Sequence, residues 1–203
     1  MFNNLTTALE LMGKKKNDCH PELPRDKEFS GIGLGGGAIS QEEALFIFGV
    51  IAVVKPDIVI ELGTSQGGSS VAIGAMLKDL GKGELFTVDW AETPPPTAFE
   101  LVQKLDLPVN FVNNKHSFDY LDHLQVDQEK IHLIFSDTDI PVRPKEVDKA
   151  LRYFPKGTFI IVHDTSDKHP FGPMNLPRSL QVLGHSNPVI ELPSPRGISV
   201  LRS

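Results

Sequence analysis

The stretch Asp57-Ile-Val-Ile-Glu-Leu-Gly-Thr-Ser-Gln-Gly-Gly-Ser-Ser70 decides the fold. Its apolar, β-branched run from Ile58 to Ile60 is short and unbroken, the pattern of a parallel strand covered on both faces. Glu61 and Gly63 lead into a turn with glycines at 63, 67 and 68. From Ser69 the apolar spacing becomes helical, with Ala72, Ile73, Met76, Leu77 and Leu80 on one face and Gly81 as the stop. A strand, a glycine turn and a helix start bring free backbone N–H groups to the carboxyl edge of a sheet. Open α/β folds hold nucleotide-like ligands there.

The spacing narrows the ligand. A dinucleotide loop reads G-x-G-x-x-G, yet Ser65 stands where its second glycine belongs. A Walker A loop ends in Gly-Lys-Ser/Thr, and no lysine lies between Lys55 and Lys78. The loop therefore lacks both pyrophosphate signatures and starts with an acid, which suits a ligand with an ammonium group and no phosphate. The competing reading is an ordinary βαβ turn whose glycines serve close packing.

The 203 residues fit one domain with a substantial core. A hydrophobic share of 40% and a charged share of 23% are those of a soluble globular chain. A net charge of -6 offers no general attraction to nucleic acid or an anionic membrane. Cys19 stands alone, so neither a disulfide framework nor a cysteine metal cluster is expected. Met1 to Leu5 lacks the pattern of a signal peptide, and the longest apolar run, 44–54, is too short to span a bilayer. A cytoplasmic protein is the expectation.

In residues 1–38, Leu5, Leu9 and Met12 line a short amphipathic pattern that Gly13 and Lys14-Lys15-Lys16 end. Gly31-Ile-Gly33-Leu-Gly35-Gly36 matches G-x-G-x-x-G in letters but follows no strand, so it reads as a loop that folds over a ligand. This segment is expected to cap a domain spanning 39–203. Ser40-Gln-Glu-Glu43 is a capping box that opens an apolar helix over 41–54, stopped by Lys55-Pro56. That helix reads as a buried element or as a homodimer contact. Glu84 to Asp89 forms a second strand whose closing acid lies 26 residues beyond Gly63, near the offset of an acid that accepts from ribose hydroxyls. Trp90 either stacks on a base or joins the core, and Asp89 alternatively caps the strand end. Pro94-Pro-Pro96 forces a loop, and Thr97-x-x-Glu100 reads as the cap of another short helix. Val109 to Val112 is a third strand with Asn113–Ser117 as its end loop, and Ile131 to Asp137 is a fourth, with Asp139 nearby. Pro144 suits the first turn of a helix to about Phe154, and Gly157 to Asp164 is a fifth strand. Pro188 to Leu192 and Gly197 to Leu201, joined by Pro193-Ser-Pro195-Arg-Gly, form an antiparallel hairpin. Five βα units and a hairpin give a doubly wound, mostly parallel α/β sheet.

With these elements placed, residues from about Gly36 to Arg202 resemble the class I S-adenosylmethionine-dependent methyltransferases. The nearer relatives are the small catechol, caffeoyl-CoA, sugar and macrolide O-methyltransferases and the cephalosporin hydroxylase-like group. The resemblance is carried by Ile60 to Ser69, Thr87-Val-Asp89, Leu133 to Asp137 and Lys156 to Asp164. It implies a seven-stranded Rossmann-like sheet ordered 3-2-1-4-5-7-6 with strand 7 antiparallel. It implies that Gly63, Ser65 and Ser69, with Gly67 in the same turn, line the methionine end of the cofactor S-adenosylmethionine, with Glu61 supporting the turn. Asp89 would hold the ribose, and Trp90 and Ser117 would border the adenine. A divalent metal (magnesium, manganese or iron) would be held by Asp137, His163 and Asp164, the histidine shifting preference away from magnesium.

The sequence departs from the family at Ile140, where many relatives place a basic residue that deprotonates the acceptor hydroxyl. Asp137 and His163 are the catalytic candidates that remain, with Asp139 and Arg143 nearby. The implied reaction is methyl transfer to a hydroxyl of a small molecule. The alternative is a methyltransferase-fold protein that binds a ligand without methylating it. One pocket wall is expected in His169 to Arg178, with Phe171 and Met174 apolar and Arg178 suited to an anion.

Overall fold

The structure is a computed structural model that describes residues 3–4, 39, 41–167, 174–192, 194 and 196–203. The expectations for the remaining positions, among them the 1–38 cap, Cys19, the Ser40 cap, the 31–36 glycine loop and 169–173 of the pocket wall, lie outside the described residues. The elements run α1 (Gln41–Val54), β1 (Ile58–Leu62), α2 (Gly68–Leu80), β2 (Glu84–Val88), α3 (Pro96–Lys104), β3 (Val109–Val112) and α4 (Ser117–Asp122). They continue with β4 (Ile131–Ser136), α5 (Arg143–Tyr153), β5 (Phe159–His163), α6 (Leu176–Val182), β6 (Ile190–Leu192) and β7 (Ile198–Arg202). The strands form one seven-stranded sheet in the order β3-β2-β1-β4-β5-β7-β6. β7 pairs antiparallel with both β5 and β6, and the other pairings are parallel. Order and direction are those the resemblance implied. No helix among the described residues is long and apolar enough to cross a membrane.

The period of two along each strand divides the core into two layers. Val59, Leu85, Leu133, Phe135 and Ile161 point to one face, covered by Ala44, Ile47 and Ile51 of α1, the apolar side of α2, and Leu101 of α3. Ile58, Ile60, Leu62, Ile134, Ile160 and Val162 point to the other, covered by Tyr120 of α4, Val147 and Ala150 of α5, and Leu176 and Leu180 of α6. β1 is buried along its whole length, as its unbroken apolar run requires. Gly81 ends α2 in the left-handed conformation at φ 66°. One local expectation fails: α3 begins at Pro96, and Thr97 lies inside it rather than capping it. Proline at the first helical turn needs no N–H partner and has its φ preset, so Pro95-Pro96 start the helix two residues earlier.

Register sets the height of every strand tip. Leu62 stands opposite Val88 and Ser136, and Ser136 opposite Val162. The residues one step further, Gly63, Asp89, Asp137 and His163, therefore emerge side by side at the carboxyl edge.

Close packing of α2 on β3 gives the first prediction. A Cβ added at Gly74 would lie 2.3 Å from Val109 Cγ2. Helix propensity alone favours alanine over glycine by about 1 kcal/mol, while overpacking a filled core costs about 1–3 kcal/mol. Gly74→Ala is expected to lower the urea midpoint with an unchanged m-value; a raised midpoint would show that the layers give way to the methyl group.

Candidate active site

The glycine turn is built from β1, β2 and the start of α2. Gly63 takes φ 94°, and a Cβ there would lie 2.4 Å from the Asp137 carbonyl oxygen, so only glycine lets β1 exit beside β4. Ser65 also holds a left-handed conformation, φ 48°, at an exposed position. Asp89 fixes this shape: its Oδ2 accepts from the Thr64 and Ser65 N–H groups at 2.9 Å each, and its Oδ1 accepts from Ala91 N–H at 3.0 Å. The strand-end acid thus ties its own loop to the glycine turn while staying half-exposed. Beside it Trp90 is 73% exposed, so it is no core residue.

Beneath the turn lies a buried polar knot. Glu61 is fully buried and accepts hydrogen bonds from the hydroxyls of Ser69 and Ser70 at the start of α2. Thr87 completes the knot by bonding Thr64 Oγ1 at 2.6 Å and Ser70 Oγ at 3.2 Å. Burial pushes the Glu61 carboxyl up and the hydroxyls only partly counter it, leaving its pKa at about 7. Glu61 therefore supports the turn from below. Ser69 is buried and turned toward Glu61, and Ser117 begins α4 with its hydroxyl bonded to the Glu146 carboxylate. Glu146 of α5, which the sequence reading passed over, also accepts from Ser136 at 2.6 Å and from Thr138 at 3.0 Å. Burial raises its pKa.

Asp137, His163 and Asp164 converge as expected, one ligand atom of each lying within 4.8 Å of the others. They are not alone. His163, 0% exposed, presents Nδ1 to Asp137 Oδ1 at 2.9 Å and Nε2 to Glu43 Oε2 at 3.2 Å. Burial pulls the ring's pKa down. The Asp137 charge, the hydrogen bonds to Asp137 and Glu43, and the Asp164 charge outweigh burial and carry it to about 10. The ring is an imidazolium at neutral pH. Arg143, 4% exposed, donates to Asp137 Oδ1 at 3.0 Å, pairs with Asp164 Oδ2 at 2.9 Å and bonds the His163 carbonyl at 2.6 Å. Arg196 grips both oxygens of Asp164, at 2.5 and 2.9 Å. Burial raises the Asp164 pKa, but His163, Arg196 and Arg143 overcome it and hold that carboxyl well below the usual range. Three carboxylates thus meet three cations. A divalent ion needs deprotonated ligands with free lone pairs, and this set does not fit one as it stands.

Glu43, Arg143 and Arg196 are the members that the sequence reading did not assign. Spacing makes Glu43 half of a capping box, yet its carboxylate reaches His163 and also accepts from Ser194 Oγ at 2.6 Å. Its signal was its place on the buried stripe of α1, four residues before Ile47 and eight before Ile51. For Arg143 the signal was a cation at a helix start, where the macrodipole disfavours one. Ile140, in place of the family's base, is half-buried against the lower apolar layer.

A family model described as a methyltransferase domain matches residues 60–165, just over half of the chain. No curated protein matches it. Among solved structures, the chain is similar to the O-methyltransferase from Bacillus cereus in complex with SAH, at 17% identity and TM-score 0.66, covering 98% of this chain and 90% of that one. It is similar to the O-methyltransferase TomG from Streptomyces achromogenes, involved in tomaymycin synthesis and in complex with SAM, at 17% identity and TM-score 0.65, covering 98% and 89%. SAH-bound methyltransferase PaMTH1 from Podospora anserina aligns at 15% identity and TM-score 0.67, covering 98% and 87%. At these identities the likeness is one of fold.

The Glu61 knot gives a pH dependence with a definite sign. Its carboxyl has an ordinary pKa of 4.5 and a folded value of about 7, so the native state binds the extra proton between them. Stability from this group is therefore lost as pH rises through that window. Relative to Glu61→Gln, the wild type should lose about 1.4 kcal/mol per unit of pKa difference between pH 4.5 and 7. Urea unfolding of both proteins at several fixed pH values measures it, and a pH-independent gap would mean that Glu61 is ionised throughout.

Proposed function

Because this chain belongs to the methyltransferase-domain family, whose model it matches over residues 60–165, we propose that it moves the methyl group of S-adenosylmethionine to a hydroxyl oxygen of a small molecule. The observation that carries the reading is the Asp89 carboxylate holding both Thr64 and Ser65 N–H groups, which shapes the β1 turn next to the exposed Trp90. A half-exposed carboxylate suits two vicinal ribose hydroxyls, an exposed indole suits adenine, and a small-residue turn at a helix start suits the amino-acid end. Gly63, Ser65 and Gly67 would take that end, Glu61 and Ser69 would hold the turn from below, and Ser117 would border the base. When bound, the cofactor supplies a methyl group already activated on a sulfonium.

The chain's own residues then have to place the acceptor and manage its proton. Asp137 is 15% exposed, the most accessible of the three tip carboxylates, and follows β4 directly beside Gly63. It would accept the hydrogen bond of the acceptor hydroxyl, orient that oxygen for attack and take its proton as the methyl group is transferred. His163 takes no proton, because both ring nitrogens face carboxylates; its part is to hold Asp137. The unit doing this would be residues 39–203, with 1–38 as a cap. A second reading, ligand binding without transfer, is favoured by Ile140, which puts an apolar side chain where the base is expected.

Calorimetric titration with S-adenosylhomocysteine tests the first reading, and no binding at millimolar ligand would end it. Asp89→Ala is expected to weaken that binding at least about tenfold, or 1.4 kcal/mol. Gly63→Val should remove it, since its side chain would displace the Asp137 backbone. Labelled cofactor with a panel of phenols and sugars separates the two readings: any methylated acceptor rules out pure binding.

A further inference from the structure

The tip of β4 and β5 has the donors of a cation site and already contains cations. Arg143 spans the gap between Asp137 and Asp164, its two terminal nitrogens 3.0 and 2.9 Å from their oxygens. One of these nitrogens is also anchored on the His163 backbone carbonyl. It does so from the first residue of α5, where the helix dipole opposes a positive charge, so the carboxylates and not the helix hold it there. Arg196 is fixed as firmly. Its carbonyl accepts from Ser166 N–H at 2.9 Å, and Gly197 accepts from Thr165 N–H at 3.2 Å. Gly197 has φ 83°, and a Cβ on it would come 2.2 Å from Ser166 N, so the hairpin turn presses against the end of β5. Asp164 itself sits at φ 56°, a strained conformation for a non-glycine residue, with both oxygens engaged by the two arginines. On His163 neither ring nitrogen is left to ligate, since one faces Asp137 and the other Glu43.

We infer that the Arg143 guanidinium takes the place of a divalent cation: the tip is a metal-independent clasp, and Arg143 is the positioning residue that holds Asp137 beside the cofactor turn. The exclusion of metal follows from the pairing of the donors alone. Only the role beside the cofactor rests on the methyl-transfer reading above.

The metal part is tested without turnover, by titrating Mn2+ into the protein and following free Mn2+ by electron paramagnetic resonance. Wild type is expected to leave Mn2+ free up to about 1 mM, an affinity of less than about 4 kcal/mol. Arg143→Ala removes the guanidinium between Asp137 and Asp164, which keep His163 and Arg196 as partners, and should bind one Mn2+ at least about tenfold more tightly. Arg143→Lys, which restores the charge, should exclude it again. A merely structural role for Arg143 predicts no gain of metal in the alanine variant. One Mn2+ per wild-type chain, lost in Asp164→Asn, overturns the inference, and so does a folded Arg143→Ala that binds none. If Arg143→Ala fails to fold, the wild-type titration with its Asp164→Asn control still decides the exclusion of metal, and Arg143→Lys then decides the role of the charge: folded and metal-free supports it, Mn2+ binding refutes it. S-adenosylhomocysteine titrated into the same samples with and without chelator separates the two claims. Equal cofactor binding alongside wild-type Mn2+ binding would refute the clasp alone, whereas no cofactor binding would refute the methyl-transfer reading alone.

Discussion

The structure depends on one buried ring held from both sides. His163 closes β5 with a carboxylate on each nitrogen, Glu43 from α1 and Asp137 from β4. Ions in a protein interior cost several kcal/mol each unless they are paired and hydrogen-bonded, and losing one partner of such a set costs about 3–5 kcal/mol. Each member is thus tolerated only because the others are in place. Glu43 comes from the helical layer on one face of the sheet, Arg143 from the layer on the other, and Arg196 from the terminal hairpin. Apolar packing brings these layers together without specifying how far each slides. The charges fix that, because a displacement of one or two ångströms would leave them unmatched.

A second arrangement of the same kind lies under the glycine turn, built from hydroxyls instead of cations. Glu61 is satisfied by Ser69 and Ser70, and Glu146 by Ser117, Ser136 and Thr138. Neutral donors offset less of the cost of burial than charged ones do, so both carboxyls are shifted upward while Asp164 is shifted downward. Glu146 holds the hydroxyls of Ser136 and Thr138, the residues that flank Asp137 in the chain. The Glu61 knot shapes the turn that the cofactor is proposed to meet, and the Glu146 knot braces the loop after β4.

The fold was legible because its signals are local and periodic. The unbroken run of β1, the glycines at 63 and 81 and the 188–201 hairpin each specify their own conformation within a few residues. The convergence of Gly63, Asp89, Asp137 and His163 followed too, since parallel register carries strand ends to a common edge. What escaped were side chains whose partners lie far along the chain: 120 residues separate Glu43 from His163, and 32 separate Asp164 from Arg196. Periodicity says which face a residue takes but not which charge waits there. Glu43 fitted a capping rule by spacing, and Thr97 fitted another until a neighbouring proline started the helix first. Arg143 matched no motif, because its role depends on three groups that meet only in the folded chain.

The clasp joins the first helix of the sheet domain to its last hairpin, and that has a consequence during synthesis. Glu43, Asp137, Arg143, His163 and Asp164 have all left the ribosome before Arg196 does, and β7, the strand that seats the hairpin against β5, is made after the other six strands of the sheet. Until then Asp164 lacks the guanidinium that grips both of its oxygens, at the place where the layers must close. The sheet can begin to assemble around β1 and β4, and the tip is completed only when Arg196 and β7 join it. A chain cut short before the hairpin would carry the glycine turn complete and Asp164 without its Arg196 partner.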